Sequence, residues 1–211
     1  ALAEIQSRYP HYWPETRRGL IVHTAEATPA MRSFWPPIAL REHKETFLRR
    51  FGYGKINANA ALNSTTKRAT MLLQETIQPY VKDDAGKIKL GKLNMHQLPW
   101  PSEELRNHGD ASVALHVTLS YFIEPNPSRR GWRSKFRYQS HGLRFAVKAA
   151  TETEARFNQR INKIDRDAGE NVANDVGTDP DSSNWLWGAS LRSNGSLHSD
   201  VWYGTAAQLA E

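Results

Sequence analysis

The stretch GSLHSD at 195–200 brings Ser196, His198, Ser199 and Asp200 close together in the chain. A hydroxyl, an imidazole and a carboxylate are the parts of a nucleophile, its base and the group that orients the base. A triad needs convergence in space, however, and neighbouring residues of a strand point to opposite faces. No G-x-S-x-G elbow accompanies them. The stretch is therefore expected to be structural, and no residue of this chain is assigned a catalytic role. Metal chemistry fares no better. His11, His23, His43, His96, His108, His116, His141 and His198 include no H-x-x-x-H or H-E-x-x-H spacing, and the chain has no cysteine. His116 reads as a packed or solvated strand residue, and no metal ligand is assigned.

A third chemistry is recognition of an anion. SRRGWRSKFRYQSHGLRF sets Arg129, Arg130, Arg133, Lys135 and Arg137 among Trp132, Phe136 and Tyr138. Cations interleaved with rings can bind a single strand of nucleic acid by charge and stacking. The same pattern suits a hairpin whose Lys and Arg keep its edge from pairing with neighbours, or attraction to the acidic stretch 165–181. Nucleic acid is therefore not the expected partner. Arg129, Arg130, Trp132, Arg133, Lys135 and Arg137 stand as the candidate contact surface for some anionic partner.

The charge distribution frames that surface. The chain of 211 residues carries 28 Lys and Arg against 22 Asp and Glu. Residues 124–148 hold seven cations against one acid, and residues 149–211 hold five against ten. Such asymmetry fits an anionic partner or intramolecular pairing. The 39% of hydrophobic residues and seven Trp suffice for a folded core. No apolar run is long enough to span a bilayer, so no membrane partner is expected. The lack of cysteine and of a leader-like start favours the cytoplasm.

These residues must be positioned by two kinds of element. Up to about residue 62 the chain reads as helical. Pro14 suits the first turn of a helix through PETRRGLIVHTA, with Leu20, Ile21, Thr24 and Ala25 inward. A turn at Pro36–Pro37 precedes a second helix to Arg50. In FGYGKINANAAL, Gly52 and Gly54 flank Tyr53 and point to unusual backbone angles or a close approach. Asn57 can cap a helix from Ala58 to Leu62.

From Thr70 the pattern becomes β. VALHVTLSYFI alternates with period two. It sets Val113, Leu115, Val117, Leu119, Tyr121 and Ile123 on one face, as in a central strand with Val117 and Leu119 in the core. GLRFAVK repeats the alternation. ATMLLQETI, GKIKLGKLNMHQL, SKFRYQS, WLWGASLR and DVWYG are further strand candidates. Two helices interrupt them. One is short, capped by Ser102-Glu103-Glu104 and ending at Gly109. The other opens on the capping box Thr151-x-x-Glu154, carries Phe157, Ile161, Ile164 and Ala168 on one stripe and stops at Gly169. The expected class is α+β, with a boundary between a helical unit, 1–66, and a β unit, 67–211.

Two segments resemble subtilisin-like serine proteases. YPHYWPETRRGLIVHTA, 9–25, is similar to the helix that follows the nucleophile there. FGYGKINANAAL, 51–62, is similar to the closing Y-G-x-G-x-[IV]-[DN]-A-x-x-A of the domain. VTLSYFIEP resembles the V-T-L-x-[WY]-x-[DE]-P strand of a jelly-roll module that follows the protease domain in large bacterial members. The resemblance implies the helical end of an α/β protease domain, then a β-sandwich with inserted helices. It makes Gly52, Gly54 and Asn57 a structural turn into the last helix of the protease fold. It implies a peptide-bond hydrolase whose Asp, His and G-T-S-x-A serine lie N-terminal to Ala1, so that this chain alone is inactive. No cofactor is implied. Calcium occurs in the family, and the loop with Asp175, Asp179 and Asp181 is the one candidate for it, although it lacks the full D-x-[DN]-x-[DN]-G pattern. Otherwise that loop is simply solvated. The polypeptide substrate and the rest of the protease domain would be the partners. The contrasting reading is a non-catalytic β-sandwich binding module that meets an anionic partner through its basic surface.

Overall fold

A computed structural model describes residues 1–33, 41–67, 69–78, 80–90, 96, 99–122, 143, 145–149, 152–167, 183–188, 191 and 196–210. The described chain is α+β. Its helices are α1 (Leu2–Arg8), α2 (Pro14–His23), α3 (Pro29–Ser33), α4 (Arg41–Phe51), α5 (Ala58–Lys67), α6 (Ser102–His108), α7 (Glu154–Asp167) and α8 (Ala206–Ala210). The strands are β1 (Tyr80–Lys82), β2 (Ile88–Leu90), β3 (Ser112–Ser120) and β4 (Leu197–Thr205).

Local chemistry accounts for the helix ends. Pro14 opens α2 at its first turn, where its missing N–H costs nothing. Thr24 closes it, its hydroxyl donating to the Leu20 carbonyl at 3.0 Å. Asn57 Oδ1 accepts the Ala60 amide at 3.0 Å at the start of α5. That helix continues past Leu62 to Lys67. The short α3, which the sequence reading did not assign, starts where Thr28 Oγ1 accepts the Met31 amide at 3.2 Å. Pro101, and not Ser102, sits at the N-cap of α6.

The strands form two antiparallel pairs among the described residues, β1 with β2 and β3 with β4. In the second pair Ser112 faces Thr205 and Ser120 faces Leu197. Outside β4, Trp185 forms an isolated bridge with Trp202. Leu186 donates to the Val201 carbonyl and Tyr203 to that of Asn184. Helix α2 lies on one face of the β3–β4 pair. At Gly19 an added Cβ would come 3.4 Å from Ser120 Cβ, so the helix rides close to the sheet.

Two apolar clusters hold these parts. Ile5 of α1, Leu20 of α2 and Ala61 of α5 are buried together, with Tyr9, Tyr12, Ile21, Leu62 and Leu72 against them. Phe47 of α4 is buried with Trp187 and Leu191 and joined by Met31, Leu48, Phe51 and Tyr53. The helices of residues 1–66 thus pack partly on one another and partly on the C-terminal segment. Side-chain hydrogen bonds also run between 1–66 and 67–211. Thr16 meets Gln74, and Tyr53 meets Leu197.

Several strand expectations are corrected. In β3, Val117 and Leu119 are only half-buried, as are His116, Thr118 and Ser120 on the opposite face, which meets helix α2. ATMLLQETI is irregular over its described length, with Leu72 inward and Met71 and Leu73 outward. Among its described residues, WLWGASLR contributes a bridge at Trp185. GLRFAVK forms no ladder at its described residues. An ion pair lies along its end: Arg160 Nη2 donates to the Val147 carbonyl at 3.1 Å, and Glu152 Oε2 accepts the amide of Ala149, just beyond the segment, at 3.3 Å. Groups satisfied in this way are not available to a neighbouring strand. SKFRYQS lies outside the described residues.

The expected capping box is not the start of the helix at its described residues; Thr151 lies outside them. Helix α7 starts at Glu154, with Thr153 Oγ1 accepting the Arg156 amide at 3.4 Å. Glu152 takes Arg160 through two contacts of 2.8 Å. The Arg160 hydrogen bond holds its carboxyl below the ordinary 4.5, against the opposing effect of burial. A carboxyl depressed in the folded state stabilises the fold above its unfolded pKa and loses that contribution as pH falls through the folded value. The destabilisation caused by Glu152→Gln is therefore expected to be full at pH 7 and to fade below about pH 4.5. Thermal melts of the two proteins from pH 7 to pH 3 measure it.

Candidate functional site

The GSLHSD stretch opens β4, and the pleat separates its side chains. Ser199 pairs across the sheet with Thr118 on the α2-covered face, whereas Asp200 pairs with Val117 on the other. On the covered face, Ser199 Oγ lies 2.9 Å from His116 Nε2 and 2.9 Å from Thr118 Oγ1. Thr118 Oγ1 lies 3.2 Å from Nδ1 of His23, which comes from α2. The rings of His23 and His116 stack with centroids 4.3 Å apart. Two imidazoles and two hydroxyls thus form a continuous hydrogen-bonded array between helix and sheet.

The array sets a serine beside an imidazole, while Asp200 of the same stretch belongs to the opposite face of the sheet. Asp200 is fully buried and accepts the amides of Trp187 at 2.9 Å, Gly188 at 3.0 Å and Val201 at 2.8 Å. His198 is buried on the Asp200 face and meets the Tyr121 ring edge-on at 5.7 Å. Ser199 itself is 1% exposed, which closes it to a polypeptide substrate. The array joins α2 to the sheet and fixes how the helix is seated. Among the described residues, no three His, Asp or Glu side chains gather where they could hold a metal ion. No described helix is long and apolar enough to cross a membrane.

Tyr53 links the glycine turn to this region. Its hydroxyl donates to the Leu197 carbonyl at 3.4 Å. Burial pushes its pKa above 10, the Ser199 backbone works against that shift, and the nearby Asp200 carboxylate adds to it. It is therefore a neutral donor at physiological pH. The turn around it is held by backbone geometry. Gly52 and Gly54 have φ of 60° and 113°. Glu26 and Lys55 exchange backbone hydrogen bonds of 3.0 and 2.9 Å. A Cβ on Gly54 would stand 2.5 Å from the Glu26 carbonyl carbon and oxygen. Gly54→Ala is thus expected to destabilise the protein by at least about 1–3 kcal/mol, from the backbone conformation alone and before the clash is added. Urea denaturation checks this.

Of the residues singled out by the sequence, Gly52, Gly54 and Asn57 thus sit together at the turn between α4 and α5. Arg129, Arg130, Trp132, Arg133, Lys135 and Arg137 lie outside the described residues, as do Asp175, Asp179 and Asp181. Sequence reasoning missed the meeting of His23, His116, Thr118 and Ser199. Alternation in β3 does put His116 and Thr118 on one face, but it does not show which partners cover that face.

Comparison with protein-family models, curated proteins and solved structures finds no match to this chain. The functional reading rests on the residues and the geometry above.

Proposed function

We propose that this chain is the C-terminal portion of a subtilisin-like serine endopeptidase, which hydrolyses peptide bonds with a serine, histidine and aspartate placed N-terminal to Ala1. The observation that carries the reading is the FGYGKINANAA stretch, in which both glycines, Ile56, Asn57, Ala58 and Ala61 fall where the closing pattern of the family requires them. Its geometry supports the reading: Gly54 closes against the end of the α2 segment, and Asn57 caps the helix that follows. The Pro14-initiated α2 supports it again, since the segment similar to the post-nucleophile helix is helical from that proline onward. On this reading the VTLSYFIEP strand belongs to a jelly-roll-like β-sandwich module. The chain then supports the protease by stabilising its fold, positioning the polypeptide or binding a partner.

A second reading is carried by the seven cations against one acid over 124–148. It makes the chain a non-catalytic module for an anionic partner. Binding to heparin that weakens as salt rises would favour it.

The chain by itself is expected to be inactive toward a general peptide substrate and unlabelled by a fluorophosphonate. Covalent labelling of any serine within residues 1–211 would contradict the proposal.

A further inference from the structure

We infer that Arg18 is the positioning residue that fixes α1 and α2 on the β3–β4 pair, an inference that rests on the protease reading for its catalytic consequence. The guanidinium of Arg18 makes four hydrogen bonds, all to the open end of that pair. Nε donates to Ser120 Oγ at 3.0 Å, and Nη1 to Ser196 Oγ at 3.3 Å. Nη2 donates to the Tyr121 carbonyl at 2.9 Å and to the Ser196 carbonyl at 2.7 Å. Ser196 and Tyr121 are themselves joined, the Tyr121 amide donating to the Ser196 carbonyl at 3.0 Å. One side chain of α2 therefore closes the place where β3 ends and β4 begins. A lysine could not do this, because a single ammonium lacks the planar fork that reaches four acceptors.

The helix so held carries α1 with it. Leu20, two residues along α2, packs in the cluster that buries Ile5 of α1 completely. Gly19 lets α2 approach the sheet, and His23 fastens the other end of the helix to Thr118. Sheet, α2 and α1 form one connected series of contacts. In the proposed protease Ala1-Leu2-Ala3, where α1 begins, resembles the far end of the helix that bears the nucleophile, so the Arg18 contacts set the depth and angle of that serine. A misplacement of about 1 Å can cost about a hundredfold in rate even when it arises far from the chemistry.

The test uses the full-length protein and its Arg18→Ala, Arg18→Lys and Ser120→Ala variants. Fluorophosphonate labelling rate and kcat and KM on a peptide substrate are measured per folded molecule. Arg18→Ala and Arg18→Lys are expected to lower the labelling rate and kcat together, by about tenfold or more, with KM changed far less. Ser120→Ala, which removes one contact of four, should give a smaller loss in the same direction, and it keeps the test open should Arg18→Ala fail to fold. Labelling at the wild-type rate in folded variants, or a loss confined to KM, overturns the inference and leaves the protease reading standing. A wild-type protein that takes no label at all overturns both.

Discussion

Phe47→Ala is expected to destabilise this protein by about 3–5 kcal/mol, among the largest effects of any single substitution in it. Phe47 is fully buried. Its ring lies 5.7 Å from that of Trp187 and 5.1 Å from that of Phe51. Truncation removes the transfer free energy of the ring and leaves a cavity between α4 and the segment around Trp187. Neither side can collapse readily, since Trp187 is tied by its amide to Asp200 and Leu191 packs on the same cluster. Chemical denaturation gives the magnitude. A cost below about 1 kcal/mol, the level of a surface change, would mean that α4 does not pack on the C-terminal segment.

Asp200→Asn is expected to cost about 3 kcal/mol. The carboxylate is a pure acceptor that satisfies three backbone amides in a buried setting. An asparagine keeps the volume but turns one end into a donor, which then faces an N–H. Each buried donor left without its acceptor costs about 1–3 kcal/mol. Because Trp187 and Gly188 are two of the donors, the loss should also loosen the segment that covers Phe47. The effects of Asp200→Asn and Phe47→Ala should therefore be non-additive in the double variant. Strict additivity in denaturant melts would show that the two sites are independent.

These two residues mark what the sequence could and could not reveal. Helix α2 was legible because Pro14 fixes its start, and the α4–α5 turn because Gly52, Gly54 and Asn57 each meet a distinct backbone need. Strand β3 was legible because its alternation is unbroken by charge. The face assignment of β3 was less so. Period two separates two faces, but it does not say which one a helix will cover, and α2 covers the side with His116 and Thr118. GLRFAVK has the alternation of a strand, yet Arg160 of helix α7 takes its Val147 carbonyl. The His23–Thr118–Ser199–His116 array joins three separate segments. Its members carry no shared local signal, and pairing β3 with β4 had to come first. The same holds for Arg18, whose acceptors become neighbours only at the end of that pair.

The proposal as a whole turns on where the reactive serine lies. The most direct measurement is fluorophosphonate treatment of the full-length protein, followed by proteolysis and mass spectrometry of the labelled peptide. The account expects a single labelled serine, in a G-T-S-x-A sequence N-terminal to Ala1, with Ser196 and Ser199 unmodified. A label on a serine within residues 1–211, or none anywhere in the folded protein, would contradict it.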